Sequence, residues 1–216
     1  MEKRRVQHPV PAFSLVEMAA VLAILALLMT AGVRLMSGTG PRARAAAADQ
    51  LEGMIEQARA AAIAGRCHVV LAVAEPGDLP GDDERCRLGL FKVEAWPDST
   101  LESFPGILMG RWRSLEGGVV PLGGEVEGLD NPMDAGELAI SRMGAGQPAV
   151  KVRAIAINPR GGLHYPPGSA PVVLRLAEGR YHGGDAVPNP HADTGVISEN
   201  ILKIGRVIAR AHRING

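Results

Sequence analysis

Aromatic residues are scarce, at 3% of the 216-residue chain. Bases and sugars are held by several aromatic faces, so this sequence has little material for that kind of recognition. Cysteine is nearly absent, with only Cys67 and Cys86. Two are too few for a disulfide scaffold or a cysteine-only zinc site. In an exported domain they could form a single bridge; otherwise they are two buried thiols. An excess of one charge is also missing, since Lys plus Arg and Asp plus Glu both number 23. A nucleic-acid-binding domain normally carries a basic excess or stripe, so nucleic acid is not an expected partner. No nucleophile–base pair, paired catalytic carboxylates or metal-ligand pattern stands out. The chain therefore reads as a non-enzyme that needs no cofactor.

A long apolar run is present. "PAFSLVEMAAVLAILALLMTAGV", Pro11 to Val33, follows a short basic cluster of Lys3, Arg4 and Arg5. From Phe13 to Val33 it is broken only by Ser14, Glu17, Thr30 and Gly32. A helix of that length spans roughly 30 Å, the thickness of a bilayer's hydrocarbon core. The basic cluster would stay cytoplasmic, which places the rest of the chain across the membrane. A secretory signal fits poorly, because its apolar core is shorter and ends at a small-residue cleavage site. Glu17 is the anomaly: an isolated carboxylate in lipid is costly and normally has a partner.

Gly38, Gly40 and Pro41 predict a kink or break after this run. "SGTGPR" lacks the Gly-Lys-Ser/Thr ending of a phosphate loop. From about Arg42 to Ala64 the spacing predicts an amphipathic helix. Ala47, Leu51, Met54, Ile55, Ala58, Ala61 and Ala62 fall near one stripe, and Gly65 is its stop. Beyond it, Gly (27) and Pro (16) concentrate and favour a loop-rich β domain. Strands are expected at Cys67–Ala74, Arg87–Glu94, Gly118–Leu122, Glu137–Ser141, Val150–Asn158 and Pro171–Ala177, with a last one from about Ile201. A hairpin centred near Pro80 would set Cys67 opposite Val93, which argues mildly against a Cys67–Cys86 bridge. Asp78, Asp82, Asp83 and Glu84 lack the ordered spacing of a calcium loop and read as a solvated turn. Trp112, in "RWRSLEGGVV", reads as packing. His164, His191 and Asp193 have no metal-ligand spacing around them.

"AFSLVEMAAVLAILALL" resembles the processing site of the type IV pilin-like and type II secretion pseudopilin family. In that family a short basic leader ends in a small residue, usually Gly. A Phe, a Ser/Thr-Leu-hydrophobic-Glu sequence and an apolar helix follow. Here Ala12 takes the last leader position, Phe13 the first mature position, and Glu17 the fifth. The resemblance implies cleavage between Ala12 and Phe13 by prepilin peptidase and methylation of the Phe13 amine. It implies subunit assembly through Glu17, which could pair with the Phe13 amine of a neighbouring copy and set axial register.

The order of later segments, "LEGMIEQARAAAIAGRCHVVLAV", "IAINPRGGL" and a terminal "IGRV", is most similar to the GspH/FimT-type minor pseudopilins. The implied fold is α+β and pilin-like: a long N-terminal helix, its first half membrane-spanning, packed on antiparallel β-sheets. The implied organisation is a leader at 1–12, a transmembrane helix at 13–36, an amphipathic helix at 37–66 and a β-rich periplasmic domain at 67–216. The implied location is a bacterial inner membrane, and later a filament.

The expected role is a non-catalytic subunit that initiates or caps a pilus-like filament of a type II secretion system or related machine. Its partners would be prepilin peptidase, other major and minor pseudopilins, the inner membrane and secreted cargo. The alternative is a DNA-binding minor pilin of an uptake pilus, using Arg111, Arg113, Arg206, Arg210 and Arg213. Loss of residues 1–12 removes three basic residues and one acid, which turns the balance slightly acidic and disfavours that alternative.

Overall fold

The computed structural model describes Met18, Val21, Leu22, Ile24 and residues 39–214, apart from 82–83, 100–102, 116, 143–148 and 192–193. Backbone contacts divide the chain after Thr39. The second unit, from Gly40 onward, opens with helix α1, Thr39–Gly65. Pro41 and Gly40 lie in its first turn, where a missing N–H costs nothing, so they begin the helix and do not break it. Ala47, Ala48, Leu51, Met54, Ile55, Ala58 and Ala62 are buried on one stripe, all at most 3% exposed. Their spacing of three and four residues is what puts them there. The helix does not end on Gly65 in the way expected. Arg66 takes the left-handed conformation, with φ of 46°. The Cys67 N–H donates to the Ala62 carbonyl (3.2 Å) and the Arg66 N–H to that of Ile63 (3.4 Å). This is a Schellman cap with arginine where glycine is usual.

Among the described residues twelve strands follow: β1 (His68–Ala74), β2 (Arg87–Val93), β3 (Phe104–Leu108), β4 (Arg113–Ser114), β5 (Val119–Leu122), β6 (Leu138–Arg142), β7 (Val150–Ile157), β8 (Leu163–Tyr165), β9 (Val172–His182), β10 (Asp185–Pro188), β11 (Glu199–Ile204) and β12 (Ala211–Ile214). β1, β2, β3, β6 and β7 pair in that order, and β7 pairs back with β1, which closes a five-stranded barrel. The β3–β6 pair is parallel and the others are antiparallel. Closure leaves β1 with no free edge and no exposed face. Val70, Ala72 and Ala74 join an inner cluster with Phe91, Leu138 and Val152. Val69, Leu71 and Val73 join the cluster that contains the α1 stripe. That is why "HVVLAVA" is a continuous apolar run and not an alternating one.

The second sheet has the order β10-β9-β11-β12, with β5 also on β9. Leu174, Leu176, Leu202 and Ile204 turn its inner face to the same cluster as α1. Fully burying a side chain of this size contributes roughly 1.5–3 kcal/mol.

These findings correct the expected architecture. Among the described residues the long N-terminal helix packed on antiparallel β-sheets is not found. The described protein is strand-rich, built on a closed barrel with one parallel pair, and α1 is a single 27-residue element at its side. Among the described residues no helix is long and apolar enough to cross a membrane. α1 itself carries Arg42, Arg44, Asp49, Glu52, Glu56 and Arg59, which bar it from lipid. Single-pass placement in an inner membrane, with a periplasmic domain, is therefore not supported, nor is the transmembrane description of residues 13–36. Apart from Met18, Val21, Leu22 and Ile24, that run lies outside the described residues.

Candidate functional site

Ala12, Phe13 and Glu17, where cleavage, methylation and subunit assembly were expected, lie outside the described residues. Cys67 and Cys86 are both buried and free. Cys67 sits just before β1 and Cys86 just before β2, and these strands run antiparallel with His68 opposite Val93 and Ala74 opposite Arg87. The two thiols thus stand at opposite ends of the pair, roughly 25 Å apart at the rise of a strand. A bridge needs Cα atoms within about 7 Å. The pairing is one residue off the expected register, because the turn centres between residues 80 and 81. Burial, with Glu75 and Asp78 nearby, pushes the Cys86 thiol up to about 12, so it stays protonated and unreactive.

Charged side chains latch α1 along its length. Near its start the Arg44 guanidinium donates to the Ser198 carbonyl (2.5 Å) and lies 3.5 Å from the Glu178 carboxylate. Gln50 donates to the Ser114 carbonyl at 3.1 Å. Arg213 on β12 pairs with Asp49 and stands 3.6 Å from Glu52. Arg210 reaches Glu56 at 3.9 Å. Each exposed pair contributes little alone. Together they fix the helix to the loop before β11, to β4 and to the β11–β12 hairpin.

Three of the arginines proposed for DNA contact are thereby engaged elsewhere, Arg210 with Glu56 among them. Arg213 faces the acids of α1. The Arg206 guanidinium donates to the Ala170 carbonyl (2.5 Å), the Pro166 carbonyl and Asp130. Arg111 and Arg113 are exposed. Trp112 packs edge-on to Phe91, at 5.5 Å between ring centroids. It covers Gly89, where a Cβ would lie 2.8 Å from the indole.

Three aromatics and two histidines gather at one end of the barrel. His68 and His164 stand 4.7 Å apart, centroid to centroid, and Trp96 lies 5.3 Å from the first and 4.7 Å from the second. Phe104 and Tyr165 complete the group. Burial lowers the pKa of His68, with the neighbouring His164 adding to it, and burial also lowers that of His164. Both rings are therefore neutral near pH 7. His68 and Trp96 come from opposite ends of the β1–β2 pair in sequence, so no local signal announces the contact. Beside the cluster a groove of about 420 Å³ runs along Trp96, Pro97, Phe104, Pro105 and Ile107. A larger cleft of about 880 Å³ is lined by Glu125, Glu127, Asp130, Asp134 and Tyr165. Among the described residues no three His, Cys, Asp or Glu are placed to hold a metal ion. No family model matches the chain, and no curated protein or solved structure matches it.

Proposed function

We propose that the chain is a non-catalytic structural subunit of a pilus-like filament, of the minor-pseudopilin kind, in a type II secretion system or related machine. The observation that carries this reading is the sequence from Ala12 to Glu17. It sets a small residue, Phe, Ser, Leu, Val and Glu in order ahead of a long apolar run. Cleavage after Ala12 frees the Phe13 amine. The Glu17 carboxylate needs a cation in apolar surroundings, and the amine of a neighbouring copy supplies one.

The latches on α1 support a role in transmitting force. A subunit added through its N-terminal segment must pass tension to the domain that follows. α1 is held by Arg44, Gln50 and Arg213 to three separate parts of that domain. Partners under this reading are prepilin peptidase, other pseudopilins and exported cargo.

Mass spectrometry of the protein from cells with active prepilin peptidase should find an N-terminus at methylated Phe13. A chain that still begins at Met1 counts against the reading. Glu17→Ala should be processed but should enter filaments poorly. Normal incorporation removes the role assigned to Glu17.

A further inference from the structure

Three exposed aliphatic residues lie on segments that come together where α1 ends. Ile63 is 45% exposed, Val207 88% and Ile208 53%. A Cβ at Gly161 would lie 2.8 Å from the Ile63 side chain, and one at Gly162 would lie 2.8 Å from the Val207 carbonyl oxygen. The β7–β8 turn therefore joins the end of α1 to the β11–β12 turn. This second turn is firmly held: the Ala209 N–H donates to the Gly161 carbonyl (2.8 Å) and the Leu163 N–H to the Arg206 carbonyl (2.8 Å). Val207 and Ile208 are thus displayed on a fixed support.

Arginines rim the patch. Arg66 closes α1 three residues after Ile63, and Arg160 precedes Gly161. Arg59 and Arg210 both reach Glu56, at 3.4 and 3.9 Å. On the far side of Arg206 lies a face of opposite sign. Arg206 pairs with Asp130, which lines the 880 Å³ cleft. Glu125, Glu127 and Asp134 are exposed around that cleft, with the half-buried Val126 and Leu129 inside it. The whole chain is electrically balanced, yet these two faces are not.

We infer that the arginine-rimmed aliphatic patch of one copy docks against the acidic cleft of a second copy of this chain. This deepens the filament-subunit reading and rests on it for its biological sense. Charge complementarity selects the partner: both faces carry aliphatic side chains at the centre, and their rims carry opposite charges. Arginine suits the task because its planar fork pairs with carboxylates in a fixed geometry. Lipid is a poorer match, since surfaces that enter membranes usually present Trp, Phe or Leu and this patch presents none. An interface built from two different surfaces of one chain is heterologous and can join more than two copies.

The test uses the full chain in a non-ionic detergent, examined by sedimentation velocity at about 100 μM, where weak contacts are populated. The chain should self-associate at low salt, with apparent affinity falling by about tenfold or more as rising salt screens the rim. Arg160→Glu with Arg210→Glu should abolish association, as should Glu125→Arg with Glu127→Arg. The two double variants mixed together should associate again. Val207→Asp alone should weaken self-association, and thermal melts verify that each variant is folded. A monomeric wild-type chain overturns the inference. So does association that ignores salt and charge reversal, or binding to anionic phosphatidylglycerol vesicles or duplex DNA without self-association. If Phe13 is processed as proposed but the charge swap has no effect, the docking assignment fails and the filament reading stands. If the swap behaves as described and Phe13 is unprocessed, the reverse holds.

Discussion

Arg66→Gly should stabilise the protein. Arg66 is the one non-glycine residue with positive φ among the described residues, and it sits at the left-handed position of the cap that ends α1. An L-residue in that conformation carries roughly 1–2 kcal/mol of steric cost between Cβ and the following carbonyl. Glycine removes this cost but gives up roughly 0.5–1 kcal/mol through the greater freedom of its unfolded chain. The net gain is then about 0.5–1 kcal/mol, which for a chain of this size raises Tm by about 1–4 °C. The Arg66 side chain is exposed, so its replacement removes little buried surface. Equilibrium urea unfolding of both proteins measures the difference, with unchanged m-value as the check that the denatured states match. Arg66→Ala is the control. Alanine keeps the Cβ and hence the strain, so its stability should stay near that of wild type. Loss of stability in Arg66→Gly, or an equal gain in Arg66→Ala, would refute the argument that backbone strain is stored at this cap.

Two other expectations rest on single positions. A Cβ at Gly179 would lie 2.5 Å from the Val187 carbonyl oxygen and 2.7 Å from Val120, neither free to move, so Gly179→Ala should destabilise by about 1–3 kcal/mol. Gly53 lies within α1 with nothing within 4 Å of an added methyl, so Gly53→Ala should stabilise by about 0.5–1 kcal/mol, and thermal melts that rank the two the other way would refute the geometry. The His68–His164 pair gives a pH signature. Both folded-state pKa values lie below the unfolded value near 6.5, so the unfolded chain binds more protons. Their contribution is fully present above pH 6.5 and is lost as pH falls through the folded values. Wild type should lose Tm between pH 7 and 5 faster than His68→Asn/His164→Asn, and parallel melting curves over that range would sink the claim.

Much of the second unit was legible residue by residue. The α1 stripe from Ala47 to Ala62 is readable because one buried face imposes one period, and Ala61 at its margin is half-buried. β1, β2, β5, β6 and β7 are readable as apolar runs bounded by glycine, proline or polar turns. β9 is longer than its apolar run because β10 pairs with its polar end through Gly179–His182. The tail is a hairpin and not one strand, since Gly205 donates its N–H to the Arg210 carbonyl (3.3 Å) and turns the chain.

Closure of the barrel was not legible, and the reason lies in one segment. β3 reads "FPGIL", with a proline and a glycine in five residues, a composition that marks a loop. Both residues have a place here. Pro105 and Gly106 fall where β3 leaves β2, which it meets only through Ile107 and Leu108, and joins β6 in parallel. A side chain at Gly106 would lie 2.7 Å from Ile140, so glycine lets the strand approach its new neighbour. Without β3 there is nothing to connect β2 with β6, and the expected picture falls back to open antiparallel sheets under a helix. The charged faces were hidden for a related reason. Equal totals of acid and base describe a chain with no electrostatic character, whereas the fold gathers Glu125, Glu127 and Asp134 on one side of Arg206 and Arg59, Arg66, Arg160 and Arg210 on the other. Residues far apart in sequence become neighbours only once the β7–β8 and β11–β12 turns are brought against the end of α1.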